Sequence, residues 1–219
     1  MGRNDGLKAA AHDIVLATDD DCTVAPDWVA TGARLAAQHQ GALVTGRVRP
    51  VGDSQAVPST IEDPLPRDLT GDRWGGFLFS NNMVVPRTAL LELGGFDERF
   101  GPEEAAEDNE LCYRWVRAGK QLFYEPDLIV DHHDWRPPDE LERRYVRYAR
   151  GEGFFYAKHL RQGDARMLLF IARDLAAGAR SLVSAATKGR EAWTDSRRGI
   201  LRGLPRGLLD GWRVFGKTG

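Results

Sequence analysis

The stretch HDIVLATDDDC, His12–Cys22, places an apolar run directly before three consecutive aspartates. Residues 13–18 are rich in β-formers and alternate little, which is typical of a buried strand. Asp19, Asp20 and Asp21 follow at the carboxyl end of that strand, where open α/β sheets bind ligands. Their oxygens suit Mg²⁺ or Mn²⁺, and a divalent cation would offset the repulsion among the three carboxylates. A solvated turn that caps the next helix explains the same residues.

The segments around this stretch alternate between helix and strand patterns. A short helix is predicted over 4–12, with Asn4 or Asp5 as its cap, and a longer one over 25–41. A second strand pattern follows over 42–50, so strand, helix and strand form a βαβ unit. The sequence therefore predicts an α/β fold with a mostly parallel, Rossmann-like sheet.

Later segments predict further elements and a division of the chain. Extended segments are predicted over 77–86, 121–126 and 127–133, and helices over 87–95, 105–119, 139–161 and 165–187. A basic stretch broken by glycine and proline follows. We therefore expect a core over 1–137 and a helical, basic extension over 138–219.

Charge is divided unevenly along the chain. Residues 165–219 carry 11 Lys and Arg against 4 Asp and Glu, whereas residues 1–164 carry 19 against 28. The basic end predicts either an anionic partner, such as a lipid surface, or packing against the acidic part. That acidic part argues against nucleic acid as a partner. Two cysteines do not make a disulfide framework and fit a reducing, cytoplasmic compartment.

Two further groups of titratable residues carry candidate chemistry. Glu107 and Asp108 lie at a predicted helix start, where the helix dipole stabilises negative charge. Helix capping together with a Glu110–Arg114 pair explains them without a function. His132 and His133 end an apolar strand, so one of them can complete a metal site with a carboxylate from elsewhere. A pair of surface histidines is the alternative.

Polar residues beside glycines form the last group. Asn81 and Asn82 lie in SNNMVVP, and Asp97 follows the glycines of LGGFDERFG. Glycines let the backbone approach a ligand closely, although a helix C-cap and a turn explain Gly94 and Gly95 better.

The order of these motifs is more specific than any one of them. GLKAAAHDIVLATDDDC, FSNNMVVPRTALLELGGFDERFG and EDNELCYRWVRAGKQLFYEPDLIVDHH follow one another along the chain. In this order the chain resembles the family 2 glycosyltransferases with a GT-A fold over about residues 3–135. The resemblance implies an inverting, metal-dependent enzyme with Mn²⁺ or Mg²⁺, a nucleotide-sugar donor, and a saccharide or lipid-linked acceptor.

The resemblance also implies roles for individual residues. Asp19, Asp20 and Asp21 match the D-x-D motif that binds the donor, with Asp21 or Asp20 on the metal. Asp108 matches the general base, with Glu107 beside it, and His132 matches a histidine that joins the metal site. The acceptor side is matched by Asn82, Gly95, Phe96 and Asp97.

The start of the sequence departs from the family pattern. The family opens with a strand, a helix and a strand that build the nucleotide pocket, whereas only about a dozen residues precede the first strand here. We therefore expect an N-terminally truncated core, an exposed sheet edge, and weak or absent donor binding. Alternative functions are a catalytically inactive remnant that acts as a binding or assembly module, and a Mg²⁺-dependent phosphohydrolase or nucleotidyltransferase.

The C-terminal extension predicts amphipathic helices without a catalytic motif. The segment over 164–189 is apolar but interrupted by Arg173, Asp174 and Arg180. It is a candidate for peripheral contact with the inner membrane face, near a lipid-linked acceptor. A helical pair packed on the core or on a second subunit is the alternative.

Overall fold

The computed structural model describes residues 2–51, 60–70, 80–101, 105–133, 140–188 and 192–216. The helices in these ranges are α1 Gly2–Ala9, α2 Trp28–Gln38, α3 Arg87–Glu92, α4 Glu107–Arg117, α5 Leu141–Arg161, α6 Arg166–Lys188 and α7 Ala192–Phe215. The strands are β1 Ile14–Thr18, β2 Cys22–Val24, β3 Leu43–Val51, β4 Arg67–Asp68, β5 Asn82–Pro86 and β6 Leu122–His133. Within the described helices, none is both long enough and apolar enough to cross a bilayer.

The chain forms two compact units. One, here called the sheet unit, comprises Met1–Glu98 and Asp108–Trp135. The other, here called the helical unit, comprises Arg99–Glu107 and Arg136–Gly219.

The sheet has mixed strand directions. Its order is β1-β5-β3-β6-β2, and β4 pairs with β6 outside this path. β3 and β6 are parallel, whereas β5 runs antiparallel between β1 and β3. The strands β1, β3 and β6 therefore share one direction, as the βαβ pattern requires. The α/β class is confirmed, but the insertion of β5 makes the sheet mixed where a mostly parallel one was expected.

The sheet is covered on both faces, because successive residues of a strand point to opposite sides. Leu43 and Met83 pack on one face with residues of α1, α3 and α4, including the fully buried Trp115. Val44 and Val84 pack on the other face with Trp28 and Leu35 of α2. Each fully buried apolar side chain contributes roughly 1.5–3 kcal/mol, so the two cores hold the strand ends in fixed positions.

The sheet must curl between its two ends. β1 and β2 lie at opposite ends of the strand order, yet only three residues separate them. Thr18 and Cys22 can be at most about 14 Å apart along the chain. A flat sheet would separate β1 from β2 by four strand spacings, about 19 Å. The β3–β6 ladder is interrupted where Gly46 pairs with Glu125 and the next residue pairs with Ile129, which marks the irregularity that permits the curl.

Asn82 fixes this irregularity. Its Nδ2 donates hydrogen bonds to the carbonyls of Arg47, at 2.9 Å, and Leu128, at 2.8 Å. Its Oδ1 accepts one from the Trp28 indole at 2.9 Å. The neighbouring Gly46 has no room for a side chain, since a Cβ there would lie 2.2 Å from the Leu128 carbonyl oxygen. One buried amide therefore ties together β3, β5, β6 and α2.

Close packing of α5 on α7 organises the helical unit. Gly199, Gly203, Gly207 and Gly211 recur every four residues on one face of α7. A Cβ on Gly207 would lie 1.8 Å from the carbonyl oxygen of Arg150. The atoms nearest to these glycines advance from Tyr145 to Ala157 as α7 proceeds, so the two helices run in the same direction.

Several local predictions differ from the structure. Residues 121–126 and 127–133 form the single strand β6 rather than two strands. Asn4 and Asp5 lie inside α1 and do not cap it, because the helix begins at Gly2. The basic stretch broken by glycine and proline is one helix, α7, with Pro205 inside it. Its glycines provide contact with α5, which outweighs their low helix propensity.

Candidate active site

The three aspartates form the turn that links β1 to β2. The backbone N–H of Cys22 donates to the carbonyl of Asp19 at 3.2 Å and closes the turn. Arg3 of α1 forms an ion pair with Asp19, with Nη2 3.2 Å from Oδ1. Asp20 is exposed at the tip, whereas Asp19 and Asp21 are half-buried. The predicted turn at a strand end is thus present, with Asp21 turned toward the sheet.

The structure brings Asp21 and His132 together. Asp21 Oδ2 lies 3.5 Å from Nε2 of His132, and both side chains are largely buried. The pairing follows from the strand register, since Cys22 stands opposite His132 in the β2–β6 ladder. The N–H of His133 donates to the Asp21 carbonyl at 2.8 Å and closes the same ladder. His133 itself contacts Thr23 at 2.9 Å.

These two residues and Cys22 have the spacing of a metal site. Single ligand atoms of Asp21, Cys22 and His132 lie within 4.8 Å of one another. The His132 imidazole is 5% exposed, and its Nδ1 has no hydrogen-bond partner among the described residues. The ring nitrogen that faces Asp21 is Nε2, 3.5 Å from Oδ2, so Nε2 is the atom that could share a cation with this carboxylate. The carboxylate of Asp21 is a donor that suits Mn²⁺ or Mg²⁺, and the imidazole adds one nitrogen donor.

Cys22 is the weakest of the three donors. Burial of its thiol, helped by the charges of Asp21 and Asp19, raises the pKa of Cys22 to about 11. The thiol therefore stays protonated at neutral pH, and a thiol binds metal far less well than a thiolate. The geometry thus favours Asp21 and His132 as the pair that holds a cation.

Asp108 lies in the first turn of α4 and faces the segment that enters β5. Its Oδ2 accepts hydrogen bonds from the Ser80 N–H at 3.3 Å and the Ser80 hydroxyl at 3.5 Å. Thr18 pairs with Asn82, so Ser80 lies beyond the same edge of the sheet as the Asp19 turn. The carboxylate is half-buried, and the helix start favours its negative charge. Asp108 and the aspartate turn therefore belong to one edge of the sheet unit.

The residues around Asp108 are also defined. Glu107 is half-buried and is the first residue of α4. Ala106 precedes it with φ of 77°, a left-handed conformation that is uncommon for a residue with a side chain. The expected Glu110–Arg114 pair is present, with Arg114 Nε 2.9 Å from both oxygens of the fully buried Glu110.

Asn82 does not face a ligand. The side chain is fully buried, and its amide holds the irregularity between β3 and β6. The expected acceptor contact from Asn82 is therefore wrong, because no surface of this residue is accessible. Its role is structural: it supports the sheet edge from beneath.

Gly95, Phe96 and Asp97 lie in a turn that docks on α1. Asn4 accepts from the Phe96 N–H at 2.9 Å and donates to the Phe96 carbonyl at 2.8 Å. Gly95 has φ of 65° and no room for a Cβ beside Asn4. Arg114 donates to the carbonyls of Leu93 and Gly95. Phe96 and Asp97 are half-buried, so they retain surface for a ligand.

Sequence reasoning missed three residues of this region. The sequence pattern does not link Ser80 to Asp108 or Arg3 to Asp19, and it predicts only a free thiol for Cys22. Ser80 precedes Asn81 and Asn82 in the same motif, which was a signal that it stands at the strand entrance. The position of Arg3 on α1 left no comparable signal.

Comparison with known proteins agrees with this architecture. Residues 2–151 match the model of the family described as glycosyltransferase like family 2. The pre-mycofactocin glycosyltransferases of two Mycobacterium tuberculosis strains, CDC 1551 / Oshkosh and ATCC 25618 / H37Rv, are 31% identical over 143 residues. This match covers 59% of the chain, and the chain spans only 29% of the length of these relatives.

A solved structure shares the fold. The mannosyltransferase PcManGT from Pyrobaculum calidifontis, in complex with GDP-Man and Mn²⁺, superposes with a TM-score of 0.57 at 17% identity. The superposition covers 94% of this chain and 65% of that one. The family match extends over more than half of the chain and includes the aspartate turn, Asp108 and His132. This chain therefore belongs to glycosyltransferase family 2 and has a GT-A fold.

Proposed function

We propose that this chain transfers a glycosyl group from a nucleotide-sugar donor to a hydroxyl of a saccharide or lipid-linked acceptor. The proposal includes inversion at the anomeric carbon and a requirement for Mn²⁺ or Mg²⁺. The observation that carries it is the Asp21–His132 pair beside the aspartate turn, in a chain of this family. The GDP-Man and Mn²⁺ bound to PcManGT support the class of donor and metal.

The aspartate turn would hold the donor. Asp21 and His132 offer the carboxylate oxygen and the imidazole nitrogen for a cation, and Asp20 is exposed at the tip as a second oxygen donor. Asp19 is oriented by Arg3 and is assigned to the donor ribose. When bound, the cation supplies electrostatic stabilisation for the negative charge that grows on the leaving diphosphate.

Asp108 would act as the general base. The acceptor hydroxyl loses its proton as its oxygen attacks the anomeric carbon, and a carboxylate can take that proton. Ser80 donates to Oδ2 and thereby fixes the orientation of the carboxylate. In-line attack opposite the leaving diphosphate inverts the configuration. Glu107 lies beside Asp108 and adds negative charge near the incoming hydroxyl, and Phe96 and Asp97 are proposed to face the acceptor.

Release of nucleoside diphosphate tests the transfer proposal. The chain is incubated with UDP-, GDP- and dTDP-sugars, Mn²⁺ and candidate acceptors, and Asp108→Asn is compared with Asp127→Asn. Loss of the base should lower turnover about 10²–10⁴-fold, whereas the exposed Asp127, which pairs with Arg34, should be dispensable. Unchanged turnover of Asp108→Asn would remove Asp108 as the base. Release of free phosphate or pyrophosphate would favour a phosphohydrolase or nucleotidyltransferase, and no release would favour a binding module.

Metal binding can be tested without turnover. We expect Mn²⁺, followed by electron paramagnetic resonance, to bind the chain and to bind His132→Gln at least tenfold more weakly. His133→Gln is the matched control, because His133 contacts Thr23 and lies on the next residue of β6. Equal loss in both variants would argue against the assigned metal pair.

The helical unit is proposed to contact the inner face of a cytoplasmic membrane. Leu169, Ala172, Ala176 and Val183 recur along the exposed side of α6 at helical spacing. Leu169 is 71% exposed and Val183 is 66% exposed, which is unusual for apolar side chains. An amphipathic helix of this kind lies in the plane of a bilayer surface, with its apolar face buried among the lipids. Flotation with anionic vesicles at low salt should recover the chain, and Leu169→Glu should abolish recovery.

A further inference from the structure

A basic groove lies between α5 and α7 in the helical unit. It encloses about 610 Å³, which is the size of a site for a small ligand. Among the residues that the structure describes, six arginines and two carboxylates, those of Glu140 and Asp210, line it. The arginines are Arg143, Arg144, Arg147 and Arg150 on α5, and Arg206 and Arg213 on α7.

The convergence of the arginines follows from the glycine face of α7. Gly207 brings the α7 backbone against the carbonyl of Arg150, so side chains on the flanks of both helices meet above the contact. Arg206 and Asp210 flank that contact on α7, and Arg143 and Arg147 flank it on α5. Two helices at ordinary separation would leave these guanidinium groups further apart in water. The groove is thus a product of the packing and not only of composition.

The described lining of the groove carries more guanidinium groups than carboxylates. Asp210 pairs with Arg150, Oδ2 to Nε at 2.9 Å, and lies 3.8 Å from Arg213. A concave surface lined by one sign of charge concentrates the field and attracts counter-ions. The complementary ligand is an anion.

Phosphate is the anion that this arrangement suits. Guanidinium groups bind phosphate oxygens through paired hydrogen bonds, and several arginines can surround one or two phosphates. An exposed apolar side chain also lines the groove: Leu209 is 59% exposed. Trp212 lies one turn further and is half-exposed, with the Arg161 guanidinium 4.7 Å from its ring. Tryptophan of this kind is typical of the interface between water and lipid.

We propose that this groove binds the phosphate headgroup of a membrane lipid, with the arginines on the phosphate and Leu209 and Trp212 on the acyl side. The groove would bind a lipid phosphate of the same membrane that α6 is proposed to contact. It is independent of the sugar-transfer reaction and of the Asp21–His132 site. A lipid phosphomonoester or diphosphate would complement the arginines and also cover the exposed Leu209 and Trp212, whereas a free phosphate would complement only the arginines.

Calorimetry with dihexanoyl phosphatidic acid, a lipid that stays in solution at low concentration, tests the groove without a bilayer. We expect binding by the full chain and a loss of about tenfold or more in Arg143→Gln/Arg206→Gln, since each variant residue removes charge-assisted hydrogen bonds. The control is Arg34→Gln/Arg117→Gln, which removes the same charge from exposed positions of the sheet unit. The control should bind as the parent chain does. Thermal unfolding followed by circular dichroism verifies that both variants remain folded.

Inorganic pyrophosphate and dihexanoyl phosphatidylcholine are the two comparison ligands. Much weaker binding of both supports a lipid phosphate as the ligand. Pyrophosphate binding as tight as that of phosphatidic acid would overturn the lipid assignment, as would equal losses in the groove and control variants. Because no vesicle is used, failure here is distinct from failure of the α6 contact, and because no sugar donor is used, it is distinct from failure of the transfer reaction.

Discussion

Substitution of Asn82 by alanine should destabilise the sheet unit by more than the burial of the Asn82 side chain alone would predict, because the side chain also makes three hydrogen bonds. The amide accepts from Trp28 and donates to the carbonyls of Arg47 and Leu128. Alanine removes all three hydrogen bonds and leaves an indole N–H and two carbonyl oxygens without this partner. Each such buried group costs about 1–3 kcal/mol, partly relieved where a carbonyl keeps another donor. We therefore expect a loss of roughly 3–5 kcal/mol, a large share of the ~5–15 kcal/mol of a typical domain.

Urea unfolding followed by tryptophan fluorescence measures this loss, which corresponds to a midpoint lowered by roughly 1–2 M. Asn81→Ala is the matched control. Asn81 is also buried, at 3% exposure, but its Oδ1 has no hydrogen-bond partner among the described residues. The control should therefore lose much less stability. If the two variants lost the same amount, the loss would come from burial and not from the hydrogen bonds at the irregularity.

Two further predictions concern the helix contact and the thiol. Gly207→Ala places a Cβ 1.8 Å from the Arg150 carbonyl oxygen and should lower the melting temperature by several degrees, whereas Gly6→Ala, with open space around it, should leave the temperature equal or higher. Equal melting temperatures would refute the close α5–α7 contact. Because the pKa of Cys22 is raised from 9.0 to about 11, its alkylation by iodoacetamide should be slow at pH 8 and accelerate toward pH 11. Asp21→Asn should accelerate it at pH 8 because the charge of Asp21 adds to the effect of burial; an unchanged rate would contradict the contribution assigned to that charge. The raised pKa also affects the free energy of unfolding. Because the folded state holds the Cys22 thiol proton more tightly than the unfolded state, the folded protein loses stability as pH rises from 9 to 11.

The regular elements and the order of the motifs could be predicted from the sequence. The strand before Asp19 and the helix that begins at Glu107 depend on local pattern, and both are present, although β1 is a half-exposed edge strand and not the buried strand expected. The Glu110–Arg114 pair follows from helical spacing alone. Those features need no knowledge of distant contacts.

The parts that escaped prediction depend on tertiary contacts. β2 has only three residues, and its pairing with His132 exists because the sheet curls. The family resemblance implies an acceptor contact for Asn82, and only the β3–β6 irregularity shows that its amide is used internally. The glycines of α7 indicated a broken stretch, although their spacing of four residues was a signal of close helix packing.

The turn from β1 to β2 has a consequence for how this sequence can vary. The three residues between β1 and β2 form a tight turn that the hydrogen bond from the Cys22 N–H to the Asp19 carbonyl closes, so an inserted residue would disrupt it. One inserted residue would shift Cys22 against His132 by one position and turn alternate side chains of β2 to the other face. Asp21 would then lose its place beside the imidazole. Loops that merely connect elements tolerate insertion, whereas this one should tolerate exchange of side chains before it tolerates any change in length.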